Sequence, residues 1–193
     1  MEKHTYNILI DIARKAIIER LTGQKLLDID NLTRKNPFLA EKRAVFITLN
    51  IKNKHNKFPQ LRGCIGSILP HRSLINDIIH NAIAAAFDDP RFSPLSYDEI
   101  DKISIEVSIL SIPEKIYYKN IKELKQIIIP FKHGVILKKD WKRSTFLPDV
   151  WQKLPEFDIF FAHLCQKAGL MKNCLELHPE IEIYTVEKIE EKQ

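Results

Sequence analysis

Cysteine, glycine and long apolar runs are all scarce in this sequence, and each shortage excludes something. Among 193 residues there are 3 cysteines, 5 glycines and 2 tryptophans. Cys64, Cys165 and Cys174 are widely spaced and form no Cys-x-x-Cys. An odd, scattered set argues against a disulfide framework and predicts free thiols in a reducing compartment. No apolar run approaches the ~18 residues of a spanning helix, so no membrane association is expected. Near the N-terminus Ile8-Leu9-Ile10 is followed at once by Asp11, then by Arg14 and Lys15, which breaks any signal-peptide core. Cytoplasm is the expected location. There is no P-loop, dinucleotide fingerprint, Gly-x-Ser-x-Gly or His-Glu-x-x-His, so no cofactor is called for.

Charge is less informative than its total suggests. The net value of +5 and a pI near 9.0 invite a nucleic-acid reading. Lys52, Lys54 and Lys57 cluster between two strand-like segments, and Lys138, Lys139, Lys142 and Arg143 cluster in what reads as another loop. Acidic residues are scattered among the other basic ones. With no aromatic-basic ribonucleoprotein pattern and no zinc-finger spacing, solvated loops are the simpler account, and nucleic acid is disfavoured.

The length fits one domain over residues 1–193, or one domain with a smaller subdomain. Ile8, Leu9, Ile12, Ala13, Ala16, Ile17 and Leu21 form a helical stripe with Gly23 as its stop. Val45–Ile51 alternates as a strand. Ser73 opens a helix that Asp89-Pro90 ends, because the residue before proline avoids the α region. Ser96-Tyr97-Asp98-Glu99 has the capping-box pattern. Ile103, Ile105, Val107 and Ile109 alternate with Ser104, Glu106 and Ser108, the clearest strand in the chain. His133–Leu137 is a further strand, Phe157 to Ala168 an amphipathic helix stopped by Gly169, and Ile181–Val186 a last strand before a charged tail. Alternating strands predict an α+β fold, a mainly antiparallel sheet with flanking helices, rather than a parallel sheet.

Two of the five glycines, Gly63 and Gly66, bracket Cys64. Glycines interrupt regular strands, so the thiol is expected at a bend, with backbone N–H groups turned outward to favour a thiolate or hold an anion. The alternative is a cysteine that packs as a small hydrophobe. His133, before Gly134, could serve as base or hydrogen-bond partner for the thiol, or be satisfied by backbone groups. Glu106, on the polar face of its strand, could act as general acid/base if that face lines a cleft, or simply face solvent. Arg62 and Arg91 are candidate ligand contacts, although Asp89 pairing with Arg91 in a turn would be structural. His163, Cys165, Cys174 and His178 have the element types for zinc but match no common spacing, so no metal site is expected.

Leu61-Arg62-Gly63-Cys64-Ile65-Gly66-Ser67 resembles the hallmark of the AMMECR domain family, also called AmmeMemoRadiSam system protein A. The likeness continues through Ala84–Leu95, Ile105–Ser111, His133-Gly134-Val135, Thr145–Pro148 and His163–Leu170. Phe58-Pro59-Gln60, Asp149 and Asn173-Cys174 depart from the family's pattern without touching the hallmark. The resemblance implies a larger and a smaller part with the hexapeptide near a cleft between them, and relatives found with Memo-type and radical-SAM proteins. It implies no particular reaction. Three readings stand: an enzyme using Cys64, a binding or adaptor module that recognises a small molecule or protein through the same loop, and a nucleic-acid binder using its basic loops.

Overall fold

A computed structural model describes residues 3–51 and 59–191; the Lys52, Lys54 and Lys57 cluster and Phe58 lie outside the described residues. The chain divides into two compact units, Met1–Leu110 with Glu187–Gln193, and Ser111–Val186. The second is an insertion in the first.

The first unit is a sheet with helices on one face. Helix α1 (Lys3–Thr22) and the short α2 (Ile29–Lys35) precede strands β1 (Val45–Ile51) and β2 (Gln60–Gly66), then α3 (Leu74–Phe87) and β3 (Ile103–Leu110). The predicted stripe of α1 is its buried face, with Leu9, Ile12, Ala13, Ala16 and Ile17 packed against α3 and the sheet. Ile103, Ile105 and Val107 of β3 point into that same core. Strand order is β2-β1-β3 with a fourth strand, β8 (Val186–Glu190), beside β3. The residues read as a charged tail are thus an edge strand. Edge positions take charged side chains because only one face is buried, and such charges discourage pairing with other chains.

The second unit has its own sheet, ordered β4-β7-β5-β6. Its strands are β4 (Glu114–Ile116), β5 (Gly134–Lys139), β6 (Lys142–Phe146) and β7 (Glu180–Tyr184), with helices α4 (Ile121–Ile127) and α5 (Phe157–Lys167). The β5–β6, β5–β7 and β4–β7 pairings are antiparallel. Its core centres on Trp151, whose ring stacks on Phe160 at 3.6 Å, with Leu137, Leu164 and Ile181 also buried. The Lys138–Arg143 stretch expected as a loop is the β5–β6 hairpin.

Cys165 and Cys174 form a disulfide that closes the α5 end onto the following turn. The expectation of three free thiols is therefore corrected, and neither sulfur is available to a metal. The chain reverses after α5, which brings two cysteines nine positions apart to a Cα separation of 5.8 Å. Among the described residues no helix is long and apolar enough to cross a membrane.

Candidate functional site

The hallmark hexapeptide is a strand, not a bend. β2 pairs with β1 from Gln60 to Gly66, and neither glycine has a positive φ. Both glycines are required by close approach instead, one on each face of the sheet. A Cβ on Gly63 would lie 2.0 Å from the Ala85 carbonyl oxygen of α3, and one on Gly66 would lie 2.2 Å from Cγ of the Phe46 ring over it. The sequence cannot separate these two uses of glycine, because the crowding atoms come from elsewhere in the chain.

β2 is the edge of its sheet, and the Asp88–Leu95 loop covers that edge at Cys64. The Cys64 N–H donates to Asp89 Oδ2 at 2.8 Å, and Arg91 Nη2 donates to the Cys64 carbonyl at 3.3 Å. Asp89 is 3% exposed; it also accepts from the Arg91 N–H and takes the Arg91 guanidinium in a two-point pair at 2.9 and 2.7 Å. The Arg91 hydrogen bonds are the largest cause holding the Asp89 carboxyl well below the usual carboxylate range, helped by the Cys64 and Arg91 N–H groups. The one outward N–H at the thiol is therefore already bound to a carboxylate, and does not serve as the anion nest expected from sequence.

With its own N–H and C=O directed outward, Cys64 faces Thr48 as a non-hydrogen-bonded cross-strand pair, the arrangement that brings side chains closest. Thr48 Oγ1 donates to Cys64 Sγ at 3.4 Å. On its other side Thr48 is opposite Glu106 of β3. Cys64, Thr48 and Glu106 thus form one row across three strands, on the face turned away from α1 and α3. Ser108 donates to Glu106 Oε1 at 3.0 Å, and Glu106 lines a hollow of about 210 Å³ with Asn50, Pro59, Ser104, Glu190 and Glu191. The Cys64 side of the row is half-buried and holds the one free thiol in the chain.

Arg62 sits at the β-bulge, where the register shifts between Leu49 and Asn50. The extra residue turns its side chain out of the sheet. Its guanidinium makes a two-point pair with Glu99 at 2.7 and 3.0 Å, and this pair, ahead of every other influence, brings the Glu99 carboxyl down to about 2. Glu99 also caps Ser96, the role its capping box predicts. Phe92 lies 5.9 Å from the Arg62 guanidinium and 5.5 Å from that of Arg91. Arg62 Nη1 is buried with no hydrogen-bond partner among the described residues. Behind the strand, buried Asp77 and Asn81 of α3 hold Val45 and Ser67, and so fix the Gly66 end of β2.

The structure therefore brings Arg62, Gly63, Cys64, Gly66, Arg91 and Glu106 into one unit. His133 belongs to the second unit, just before β5. It is 7% exposed; Nδ1 accepts the Ile129 N–H at 3.1 Å, and its carbonyl accepts the Trp151 indole N–H at 2.9 Å. Burial, with Lys132 beside it, lowers its pKa. Thr48 had no signal in the sequence beyond its strand, and Phe92 and the second role of Glu99 were likewise invisible there.

Residues 10–189 match the AMMECR1 family. The chain belongs to this family. Among AMMECR1 relatives, "Protein MK0488" of Methanopyrus kandleri is 37% identical over 187 residues, 93% of this chain and 84% of that protein. "Protein PF1979" of Pyrococcus furiosus is 38% identical over 192 residues, 95% and 86% respectively. The crystal structure of uncharacterized protein PH0010 from Pyrococcus horikoshii superposes with a TM-score of 0.81 at 34% identity, covering 100% of this chain and 94% of that one. The AMMECR1 fold is thus shared along the full chain.

Proposed function

We propose that this chain is a thiol-dependent enzyme whose nucleophile is Cys64. The observation that carries the reading is the cross-strand row Cys64–Thr48–Glu106. In it the Thr48 hydroxyl donates to the sulfur, a bond that grows stronger as the sulfur gains negative charge. Glu106 stands in the same row two strand spacings, about 10 Å, from Cys64, so a proton from the thiol reaches it through the Thr48 hydroxyl between them. The hollow Glu106 lines, in which Cys64 has no part, gives a substrate room beside the row. With Glu191 paired to Arg14, Glu106 and Glu190 are the carboxylates of that hollow that favour a substrate whose entering end is neutral or cationic. Asp89, Arg91, Arg62 and Glu99 act as a frame that fixes the edge strand, and the two arginines do not serve as anion hooks. His133 takes no part, since its Nδ1 already accepts a backbone N–H.

Because Cys165 and Cys174 are joined, a thiol reagent applied without reductant reads Cys64 alone. Iodoacetamide should modify the folded chain at one site at neutral pH, and Thr48→Val should slow that reaction several-fold. A folded Cys64 that stays inert to alkylation sinks the proposal.

A second reading, a non-catalytic binding module centred on the same strand, draws on Arg91, whose side chain is 53% exposed beside the Cys64 carbonyl. Cys64→Ala separates the two. Partner binding that survives this change supports the module, and loss of function at unchanged stability supports the enzyme.

A further inference from the structure

The second unit carries a surface the thiol site does not use. The tip of the β5–β6 hairpin is Asp140, in a left-handed conformation with φ of 55°, followed by Trp141, which is 85% exposed. The other tryptophan, Trp151, is fully buried. A tryptophan so completely in solvent forgoes the apolar burial that usually places it inside.

Cations are fixed around it. Lys142 Nζ lies 5.4 Å from the Trp141 ring and donates to the Gly169 carbonyl, while Lys139 Nζ donates to the Leu177 carbonyl. Carbonyl partners orient the ammonium groups without neutralising them. Next to Leu177, His178 stacks on Tyr118 at 5.8 Å, and Tyr117 is 80% exposed with Lys115 over its ring at 5.8 Å. The register puts these groups at one end of the sheet, because Lys138 is opposite Glu180 and Ile116, just before Tyr117, is opposite Ile181. Three strand spacings separate β4 from β6, about 15 Å at roughly 4.8 Å each. Of the acidic groups at this end, Glu180 and Glu182 are paired with Lys115 and Lys138, and Asp140 stands at the hairpin tip beside Trp141. From Ser111 to Val186 there are twelve Lys and Arg against nine Asp and Glu, and Lys138–Arg143 alone holds four against one, the whole excess.

We propose that this end of the second sheet binds single-stranded nucleic acid, with Trp141 and Tyr117 offering faces to bases and Lys139, Lys142 and Arg143 meeting phosphates. Exposed aromatic faces interleaved with pinned cations suit a flexible polyanion whose planar bases are free to stack. The aromatics stand at one end of the sheet with cations beside them on both faces, Lys139 and Lys142 on one and Lys115, Lys138 and Arg143 on the other, whereas a membrane or a protein partner calls for a continuous apolar patch. Stacking and phosphate contacts carry no base code, so little sequence preference is expected.

The test is fluorescence anisotropy of a labelled oligothymidylate of about 12 nucleotides titrated with the full chain. Affinity should fall with salt, with a log–log slope of about −2 for three phosphates, and binding should quench tryptophan fluorescence through Trp141. Trp141→Ala, at a solvent-exposed position, should lower affinity about tenfold or more, with Trp141→Phe keeping most of it. Arg143→Glu should weaken binding and flatten the salt slope. No binding at low salt overturns the proposal, and so does binding that Trp141→Ala leaves unchanged, since that marks diffuse charge only. Met171 and Leu177 are also exposed here, so vesicles of phosphatidylcholine and phosphatidylserine are the control. Quenching by vesicles and not by the oligonucleotide overturns it in favour of a lipid surface.

Discussion

Replacing Asp89 is the sharpest probe of how the hallmark strand is held. Its carboxylate accepts two backbone N–H groups, from Cys64 and Arg91, in addition to the Arg91 guanidinium. Asp89→Ala leaves both amides without a partner, at about 1–3 kcal/mol for that of Cys64 and about 1 kcal/mol for that of the exposed Arg91. The ion pair adds little, since Arg91 is half exposed and such pairs contribute at most about 1 kcal/mol. The expected loss is about 2–4 kcal/mol, which at an m-value of about 2 kcal/mol/M moves the urea midpoint of the first unit down by about 1–2 M. Asp89→Asn, which keeps one acceptor, should lose about half of that. The pH dependence follows from the lowered pKa. A carboxylate held below its ordinary 3.8 contributes its full stabilisation above that value, and loses it as pH falls through the folded value. The gap between the natural chain and Asp89→Asn should therefore be constant near neutrality and close below about pH 4. A midpoint shift under about 0.25 M for Asp89→Ala, at unchanged m, refutes the reasoning.

Other contacts in the molecule predict further outcomes. Cys165→Ser should destabilise the second unit by about 2.5–3 kcal/mol, the loop-closure entropy of a ten-residue ring, seen in urea unfolding under oxidising conditions. Gly63→Ala should cost about 2 kcal/mol or more, because its Cβ meets backbone rather than a side chain that can swing aside; thermal melting would show it. Buried His133 has a lowered pKa, so the unfolded chain takes up the proton first and stability falls as pH drops below 6.5. His133→Gln should flatten that slope in melting curves recorded down to about pH 5.

Much of this fold was legible from periodicity alone. The β3 alternation and the α1 and α5 stripes are long enough for their period to be unambiguous, and their burial follows from it. Short or polar elements were not legible. β4 is three residues long, β6 reads Lys-Arg-Ser-Thr-Phe, and β8 looked like a tail because an edge strand tolerates charge. At the site, position was readable and geometry was not. The glycines flanking Cys64 did mark a special backbone, but whether they serve curvature or crowding depends on Ala85 and Phe46, which no local pattern reveals. The disulfide was hidden for the same reason, as it depends on a reversal after α5 that spacing alone does not specify.

The placement of β8 sets an order of events during synthesis. The first sheet has three of its strands once Leu110 has been made, but β3 lacks its outer neighbour until the whole of Ser111–Val186 has followed. The insertion begins and ends at touching residues, with the Ser111 N–H on the Thr185 carbonyl and the Thr185 N–H on the Ser111 hydroxyl. Its completion therefore delivers Val186 to the spot that Leu110 left. A nascent chain stalled before that point carries an unpaired β3 edge, open to pairing with another copy, so truncated products should aggregate where the full chain does not.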